Sequence, residues 1–254
     1  MSALDGRVAL VTGAGQGIGA ATARRLGAAG ALVAVNSLHA DKARATAEEV
    51  NAAGGKAIAV PGDVASPADV ESFIGHTESA LGPVEVLVNN AAILSMAPFG
   101  EFDADEFRRI VNVNLTGPML CARRVLPAMH SARWGRIITV SSIWGIIGAR
   151  GATPYSAAKG GLVGFTRALA DEVADEGVFV TAIAPGTVDT PQLAADAAFA
   201  GCSLAELKQR YADDTLVKRI AAADEIAGLI VWLAAERTGV FSGEIVAVTG
   251  GRSE

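Results

Sequence analysis

The chain has 254 residues, 51% of them hydrophobic and 19% charged, which is enough to bury a large core in one α/β domain spanning residues 1–254. Its formal net charge of -6, without a run of Lys or Arg, argues against a nucleic-acid partner. No apolar stretch is long enough to span a bilayer and the first residues do not resemble a secretory leader, so we expect a cytoplasmic protein without a membrane partner. Two cysteines and three scattered histidines favour neither a disulfide framework nor a metal site.

Apolar runs alternate with longer helical stretches along the chain, a pattern typical of βαβ units. Because the apolar runs are nearly continuous, both faces of the sheet should be covered by helices. We therefore predict a doubly wound parallel sheet of about seven strands, with strands at residues 7–12, 32–36, 56–60, 84–89, 135–141, 178–184 and 244–248. The predicted helices are residues 17–29, 41–53, 67–81, 104–129, 154–176 and 224–235. Residues 191–211 break this alternation and are predicted to form a mobile flap over the substrate.

A glycine-rich stretch follows the first predicted strand and opens the first helix. Gly13, Gly17 and Gly19 stand in the order Gly-xxx-Gly-x-Gly, whereas the common GxGxxG pattern does not fit. A backbone without Cβ can turn tightly and approach a pyrophosphate, and the helix N-terminus favours its negative charge. The stretch therefore predicts a dinucleotide site.

Tyr155 and Lys159 are four residues apart on a predicted helix and thus share one face. A phenol has a reference pKa of about 10, so near neutral pH it acts as a proton acceptor only if its surroundings stabilise the phenolate. An ammonium group on the same face can stabilise the phenolate. Thr153 as N-cap and Pro154 as first helical residue would place Tyr155 in the first turn, where the helix dipole adds to this effect. Ser142 ends the fifth strand, where its hydroxyl can donate to a substrate oxygen.

These motifs resemble the short-chain dehydrogenase/reductase family, whose first motif is TGxxxGxG, and the resemblance extends along essentially the whole chain. It implies a Rossmann-type sheet and a catalytic set of Asn114, Ser142, Tyr155 and Lys159, in which the Asn holds a water that links the Lys to solvent. Asp63 and Val64 resemble the adenine-side contact, and Ala92 departs from the glycine usual in the family's NNAG motif. The cofactor contacts implied are Gly13, Gln16, Gly17, Ile18, Gly19, Asn36, Ser37, His39, Asp63, Val64, Asn90, Ala91, Ala92, Tyr155, Lys159, Pro185, Gly186, Val188 and Thr190.

The choice between NAD(H) and NADP(H) normally depends on an acid after the second strand, which binds the ribose hydroxyls and repels a 2'-phosphate. Asn36, Ser37 and Leu38 stand there instead, with His39 and Lys42 close by in sequence. NADP(H) is therefore the preferred expectation, with NAD(H) possible.

The expected activity is hydride transfer between the nicotinamide and a lipophilic secondary alcohol or ketone. Apolar residues after the fourth and fifth strands should line the substrate pocket, with Ser142, Trp144, Leu94 and Tyr155 as substrate contacts. The other apolar residues expected to line the pocket are Ile93, Met96, Ile146 and Ile147.

Two other functions stay open. One is a 3-oxoacyl-acyl-carrier-protein reductase: acids at residues 171–176 would repel the acidic carrier, whereas Arg133 and Arg136 would attract it. The other is a nucleotide sensor without catalysis, although such proteins usually lack the Tyr or the Lys. Small residues at 157, 161, 164 and 168 share a helix stripe that would allow close packing, either within the chain or against a second copy. The resemblance implies the second, a homo-oligomer and specifically a tetramer.

Overall fold

The computed structural model describes residues 4–235 and 239–251. Its strands in chain order are β1 Val8–Val11, β2 Leu32–Val35, β3 Lys56–Ala59, β4 Val86–Asn89, β5 Gly135–Val140, β6 Val178–Pro185, β7 Val188–Asp189, β8 Ala221–Ala222 and β9 Ile245–Val248. The helices are α1 Gly17–Ala28, α2 Ala40–Ala52, α3 Pro67–Leu81, α4 Ala104–Val111, α5 Gly117–Ala132, α6 Trp144–Ile147, α7 Thr153–Glu172, α8 Leu193–Phe199, α9 Leu204–Asp213 and α10 Ala223–Ala234.

Seven strands form one parallel sheet in the order β3-β2-β1-β4-β5-β6-β9, and β7 and β8 form a separate parallel pair. One hydrophobic cluster packs α1, α2 and α10 on one face of the sheet. A second cluster packs α3, α5 and α7 on the other face. The prediction of a doubly wound Rossmann-type α/β sheet of seven strands is confirmed.

The strand order reverses between β1 and β4, because β2 and β3 lie on one side of β1 and the later strands lie on the other. In open parallel sheets a crevice forms at such a point, beyond the carboxyl ends of the strands. The predicted glycine-rich stretch follows β1 and Ser142 follows β5, so both are at this edge.

The predicted helix over residues 104–129 is wrong as a single helix. It divides into α4 and α5, joined by a π-helical turn at Asn112–Thr116. Pro118 has no N–H to continue the regular i to i−4 ladder, which explains why the hydrogen bonding changes register here. The wider turn buries Val113 and Asn114.

Two further boundaries differ from the prediction. The helix that carries Tyr155 and Lys159 begins at Thr153 and ends at Glu172, with a separate 3₁₀ turn at Ala174–Glu176. Residues 191–211 contain α8 and most of α9, separated at Gly201, whose φ of +63° favours glycine. Ser203 and Glu206 form a capping box at the start of α9. The mobility predicted for this flap stays a prediction.

Candidate active site

A cleft of about 420 Å³ lies at the carboxyl edge of the sheet. It runs from the loop after β1, past the ends of β4 and β5, to α8 and α9. All of the predicted cofactor contacts line it except Gly19. Of the predicted catalytic residues, Ser142, Tyr155 and Lys159 line the cleft, whereas Asn114 lies behind its wall.

The glycine-rich loop is built from close backbone contacts. Gly13 has a φ of +62°, and a Cβ added there would lie 2.6 Å from Ala91 Cα. Gly17 also has a positive φ, of +56°. Gln16 is the N-cap of α1 and makes no side-chain capping bond, so the first-turn amides of α1 have no side-chain cap. Such amides at the start of a helix suit a pyrophosphate, and the loop therefore fits a dinucleotide.

Gly19, also a predicted cofactor contact, is not among the residues that line the cleft. It is buried, and an added Cβ would lie 2.5 Å from Asn90 Nδ2 and 2.6 Å from Gly13 O. Asn90 Nδ2 also donates to Thr12 O at 2.9 Å, and Thr12 Oγ1 accepts from the Ala91 amide at 3.1 Å. Gly19 thus allows α1 to approach a network that fixes the loop, rather than contacting the cleft itself.

The predicted cofactor contacts at the end of β2 differ in their contacts within the protein. Asn36 is fully buried, and its Nδ2 donates to Val60 O at 3.0 Å and to Gly62 O at 3.2 Å. Its side chain therefore fixes the strand end. Ser37 and His39 line the cleft, and Lys42 Nζ donates to Gln16 Oε1 at 2.9 Å across it. This end of the cleft thus carries a cation and a hydroxyl.

The carboxylate of Asp63, the predicted adenine-side residue, accepts hydrogen bonds from other groups of the protein. It accepts from Arg109 Nη1 at 2.7 Å and from the Ala65 amide at 2.9 Å. No motif in the sequence predicted that Arg109, on α4, would reach this site. Val64 lines the cleft beside the pair.

The unusual Ala92 is exposed to the cleft. Its φ is not positive, so the backbone does not require glycine at this position. The extra methyl therefore causes no backbone strain.

Four of the predicted cofactor contacts, Pro185, Gly186, Val188 and Thr190, lie at the end of β6 and in the segment that follows it. Ile143 N donates to Pro185 O at 2.9 Å, which ties this loop to the end of β5. Gly186 allows close packing, since an added Cβ would lie 3.1 Å from Thr249 Cα. Val188 and Thr190 continue the cleft wall towards α8.

The cap of α7 differs from the prediction. Ala152 is the N-cap of α7 and makes no side-chain cap, whereas Thr153 and Pro154 are its first two residues. The predicted Thr cap is therefore wrong, but Tyr155 remains in the first turn, where the helix dipole favours negative charge. Ser141 Oγ donates to Lys159 O at 2.8 Å and joins the end of β5 to this helix.

Tyr155 and Ser142 both line the cleft, and the Ser142 hydroxyl is near enough to the phenol to lower its pKa. Ser142 Oγ also accepts from the Trp144 amide at 3.1 Å. The indole of Trp144 packs edge-to-face on the Tyr155 ring, with 6.2 Å between centroids. The Tyr155 ring is therefore positioned by an aromatic neighbour.

The electrostatics around Tyr155 differ from the sequence expectation. By surface area the residue is only partly buried, yet desolvation is the first cause that raises the pKa of Tyr155 to about 12. The Ser142 hydroxyl opposes this rise, and the negative charge of Asp196 adds to it. Lys159 is fully buried, and desolvation lowers its pKa to about 7. Burial therefore outweighs the stabilisation of the phenolate that the spacing predicted.

Lys159 Nζ donates to Val140 O at 2.7 Å and lies 5.6 Å from the centroid of the Tyr155 ring. Asn114 lies in the π-helical turn, and its Nδ2 donates to Ile93 O at 2.8 Å and to Ile110 O at 2.9 Å. Its Oδ1 is buried without a hydrogen-bond partner in the described part of the chain. The amide is thus fixed with one acceptor still available.

The apolar wall of the cleft is partly as predicted. Ile93, Leu94 and Trp144 line it, whereas Met96 does not, and Ile146 and Ile147 are about half exposed outside it. The flap contributes lining residues that the sequence did not single out, because only the folded chain brings α8 and α9 over Tyr155. They are Pro191, Gln192, Leu193, Asp196 and Tyr211.

Across the described residues, 4–235 and 239–251, there is no cluster of three His, Cys, Asp or Glu side chains that could hold a metal. Within the same ranges, no helix is long and apolar enough to cross a membrane.

This arrangement defines a nucleotide-dependent oxidoreductase, and comparison with known proteins agrees. The family model described as short chain dehydrogenase matches residues 7–199. The 3-oxoacyl-(acyl-carrier-protein) reductase FabG of Pseudomonas aeruginosa is 38% identical over 252 residues, covering 98% of both chains. The cis-4-hydroxycyclohexanecarboxylate dehydrogenase of Sinomonas cyclohexanicum is 38% identical over 246 residues, covering 96% of both.

A crystal structure of a single-substitution variant of actinorhodin polyketide ketoreductase with NADPH superposes with a TM-score of 0.94, at 34% identity and 98% coverage of both chains. The chain therefore belongs to the short-chain dehydrogenase family, as its motifs predicted. It is an NAD(P)-dependent oxidoreductase.

Proposed function

We propose that the protein interconverts a lipophilic ketone and its secondary alcohol, with Tyr155 as the group that transfers the proton. The observation that carries this proposal is that Tyr155 and Ser142 line one cleft, with the buried Nζ of Lys159 5.6 Å from the centroid of the Tyr155 ring. The bound nicotinamide supplies or accepts the hydride. In reduction, the carbonyl carbon receives that hydride and the carbonyl oxygen receives the proton of Tyr155.

Ser142 donates a hydrogen bond to the substrate oxygen and holds it beside the phenol. With a pKa of about 12, Tyr155 is protonated at neutral pH and is ready to act as the acid in reduction. Oxidation needs the phenolate and is expected to become faster as the pH rises. Lys159, with a pKa of about 7, can exchange a proton near neutrality. The free Oδ1 of Asn114 suits a water that would return protons from solvent.

For the cofactor, we propose a preference for NADP(H). The cleft wall at the end of β2 carries Ser37, His39 and Lys42, and the nearby carboxylate of Asp63 already pairs with Arg109. A 2'-phosphate would therefore meet a cation rather than an unpaired acid. The NADPH in the similar ketoreductase agrees with this preference.

A 3-oxoacyl-carrier-protein reductase is the second candidate, favoured by the FabG relative. The acids at residues 171–176 are no argument against this candidate, because they are far from the cleft that a carrier protein would approach. They precede β6 and thus lie at the amino edge of the sheet, opposite the cleft. The arginines do not support it either. Arg136 is buried and stacks on Trp134 and Phe179, while Arg133 donates to Asp175 O.

The predicted homo-oligomer stays a proposal. Ala157, Gly164 and Ala168 are exposed on α7, whereas Gly161 packs on Leu115. The exposed small side chains would let a helix of a second copy approach closely. The cytoplasmic location expected from the sequence likewise stays a prediction.

The test is to follow oxidation of NADPH and NADH in parallel, by their absorbance, over a panel of aliphatic, cyclic and aromatic ketones and one 3-oxoacyl thioester. Turnover of lipophilic ketones with NADPH supports the main proposal. A rate confined to the thioester would favour the second candidate. Binding of NADPH without turnover of any of them would point to the sensor considered at first.

A further inference from the structure

A buried acid lies in the part of the cleft that the sequence predicted to be apolar. Asp196, on α8, is 6% exposed and lines the same cleft as Tyr155. Its carboxylate is close enough to Tyr155 for its charge to raise the pKa of the phenol. The carboxylate therefore belongs to the same cleft as the proposed proton-transferring group.

The carboxylate has few partners in the protein. Gln192 Nε2 donates to Asp196 Oδ1 at 3.2 Å, one helical turn away. Neither an ion pair nor a hydrogen bond to the other oxygen, Oδ2, is found in the part of the chain that the structure describes. Burial raises the pKa of Asp196, as expected for a carboxylate that lacks a cationic partner.

The charged groups of the cleft are unevenly placed. His39, Lys42 and Arg109 belong to the loops and helices at the adenine end, and Lys159 donates to Val140 O. Several other residues that line the cleft with Tyr155 and Asp196 are apolar or aromatic, among them Leu94, Trp144, Leu193 and Tyr211. A lone acid in such surroundings costs free energy, so a bound donor would offset part of that cost.

We propose that Asp196 is a specificity-determining residue, which accepts a hydrogen bond from a hydroxyl or ammonium group of the substrate. A ketone that carries such a donor away from its carbonyl satisfies the free carboxylate oxygen. A ketone with a carboxylate at the same place meets a like charge in a partly desolvated site and is disfavoured. A ketone with a methyl group there leaves the acid without a partner.

The proposal rests on the proposed function, because it concerns the substrate end of the same cleft. The effect should be large, since a site built to bind a polar group rejects analogues that lack it more strongly than an apolar pocket rejects a missing methylene. It should appear in kcat/KM ratios between matched substrates rather than in one rate.

The experiment uses four cyclohexanones that carry a methyl, hydroxymethyl, aminomethyl or carboxylate group opposite the carbonyl. kcat/KM is measured with NADPH for the parent, Asp196→Asn and Asp196→Leu. Asp171→Asn, an exposed acid on α7, is the matched control. Thermal unfolding and NADPH affinity establish that each variant is folded, and Asp196→Asn preserves the shape of the side chain if Asp196→Leu does not fold.

We expect the parent to prefer the two donor-bearing ketones over the methyl ketone by about tenfold or more, and to use the carboxylate ketone least. Asp196→Leu should reduce the donor preference to about one. Asp196→Asn should improve the carboxylate ketone relative to the methyl ketone by about tenfold. Asp171→Asn should match the parent throughout.

Unchanged ratios in Asp196→Asn, or an equal loss on all four ketones, would overturn the role of Asp196 while leaving ketone reduction intact. If the folded parent turns over none of the four ketones or the wider panel, the proposed function itself fails. The two failures are therefore distinguishable.

Discussion

Lys159 Nζ lies 5.6 Å from the centroid of the Tyr155 ring and donates to Val140 O at 2.7 Å. The ammonium group is thus fixed by the end of β5 and lies beside the phenol rather than on the protein surface. Removal from water disfavours the charged form of Lys159, and this desolvation lowers its pKa to about 7.

The burial of Lys159 should make stability depend on pH. In the unfolded chain a lysine has a pKa of about 10.4, whereas the pKa of Lys159 in the folded protein is about 7. At a pH between these two values, the lysine is protonated in the unfolded state and neutral in the folded state. The free energy of unfolding should therefore rise with pH across this window. Lys159→Met should remove this rise, on the order of 4 kcal/mol in total.

Urea unfolding of parent and variant near neutrality and near pH 10 measures that difference. Lys56→Met, an exposed lysine at the start of β3, is the control and should keep the parental slope. An unchanged slope in Lys159→Met would contradict the buried state of the amine.

The residue after β2 should decide cofactor preference. Ser37→Asp places a carboxylate where a 2'-phosphate would bind, and like-charge repulsion should shift the kcat/KM ratio towards NADH by about tenfold. Lys42→Met should weaken NADPH binding more than NADH binding, whereas Lys56→Met should affect neither. If the parent already uses NADH alone under equal conditions, the assignment of this site is wrong.

The backbone at Gly13 should not tolerate a side chain. Gly13→Ala combines a φ of +62° with a Cβ only 2.6 Å from Ala91 Cα, so we expect a loss of about 1–3 kcal/mol in stability and weaker cofactor binding. Gly75→Ala is the matched control, because it lies inside α3 with open space around its Cβ position. That change should stabilise the protein by about 0.5–1 kcal/mol. Fluorescence titration with NADPH and thermal unfolding measure both effects, and equal behaviour of the two variants would contradict the tight contact.

Residue pattern alone predicted much of the architecture. All seven sheet strands were located, because parallel strands covered on both faces are nearly continuous apolar runs bounded by turns. The break at Asn112–Thr116 had a visible signal in Pro118, but a proline alone does not specify a π-helical turn. Ala152, and not Thr153, is the N-cap of α7, so the cap preference of threonine did not predict where this helix begins.

The candidate site was less predictable at its substrate end. The glycine loop and the Tyr155 helix follow from local spacing, whereas Arg109 and Asp196 reach the cleft through contacts between distant elements. The pKa of Tyr155 was expected to fall because spacing shows the nearby Lys159 but not the depth of burial. Desolvation is a property of the whole fold, so local sequence carries no signal for it.

Proton transfer by Tyr155 is the central claim, and the rate of alcohol oxidation against pH in the parent and in Tyr155→Phe tests it most directly. Phe keeps the ring and its packing on Trp144 but removes the transferable proton. We predict a parental rate that rises with pH, and a variant that is slower by at least about a hundredfold at every pH yet binds NADPH nearly as well. A Tyr155→Phe enzyme with near-parental rates and the same pH profile would contradict this role of the phenol.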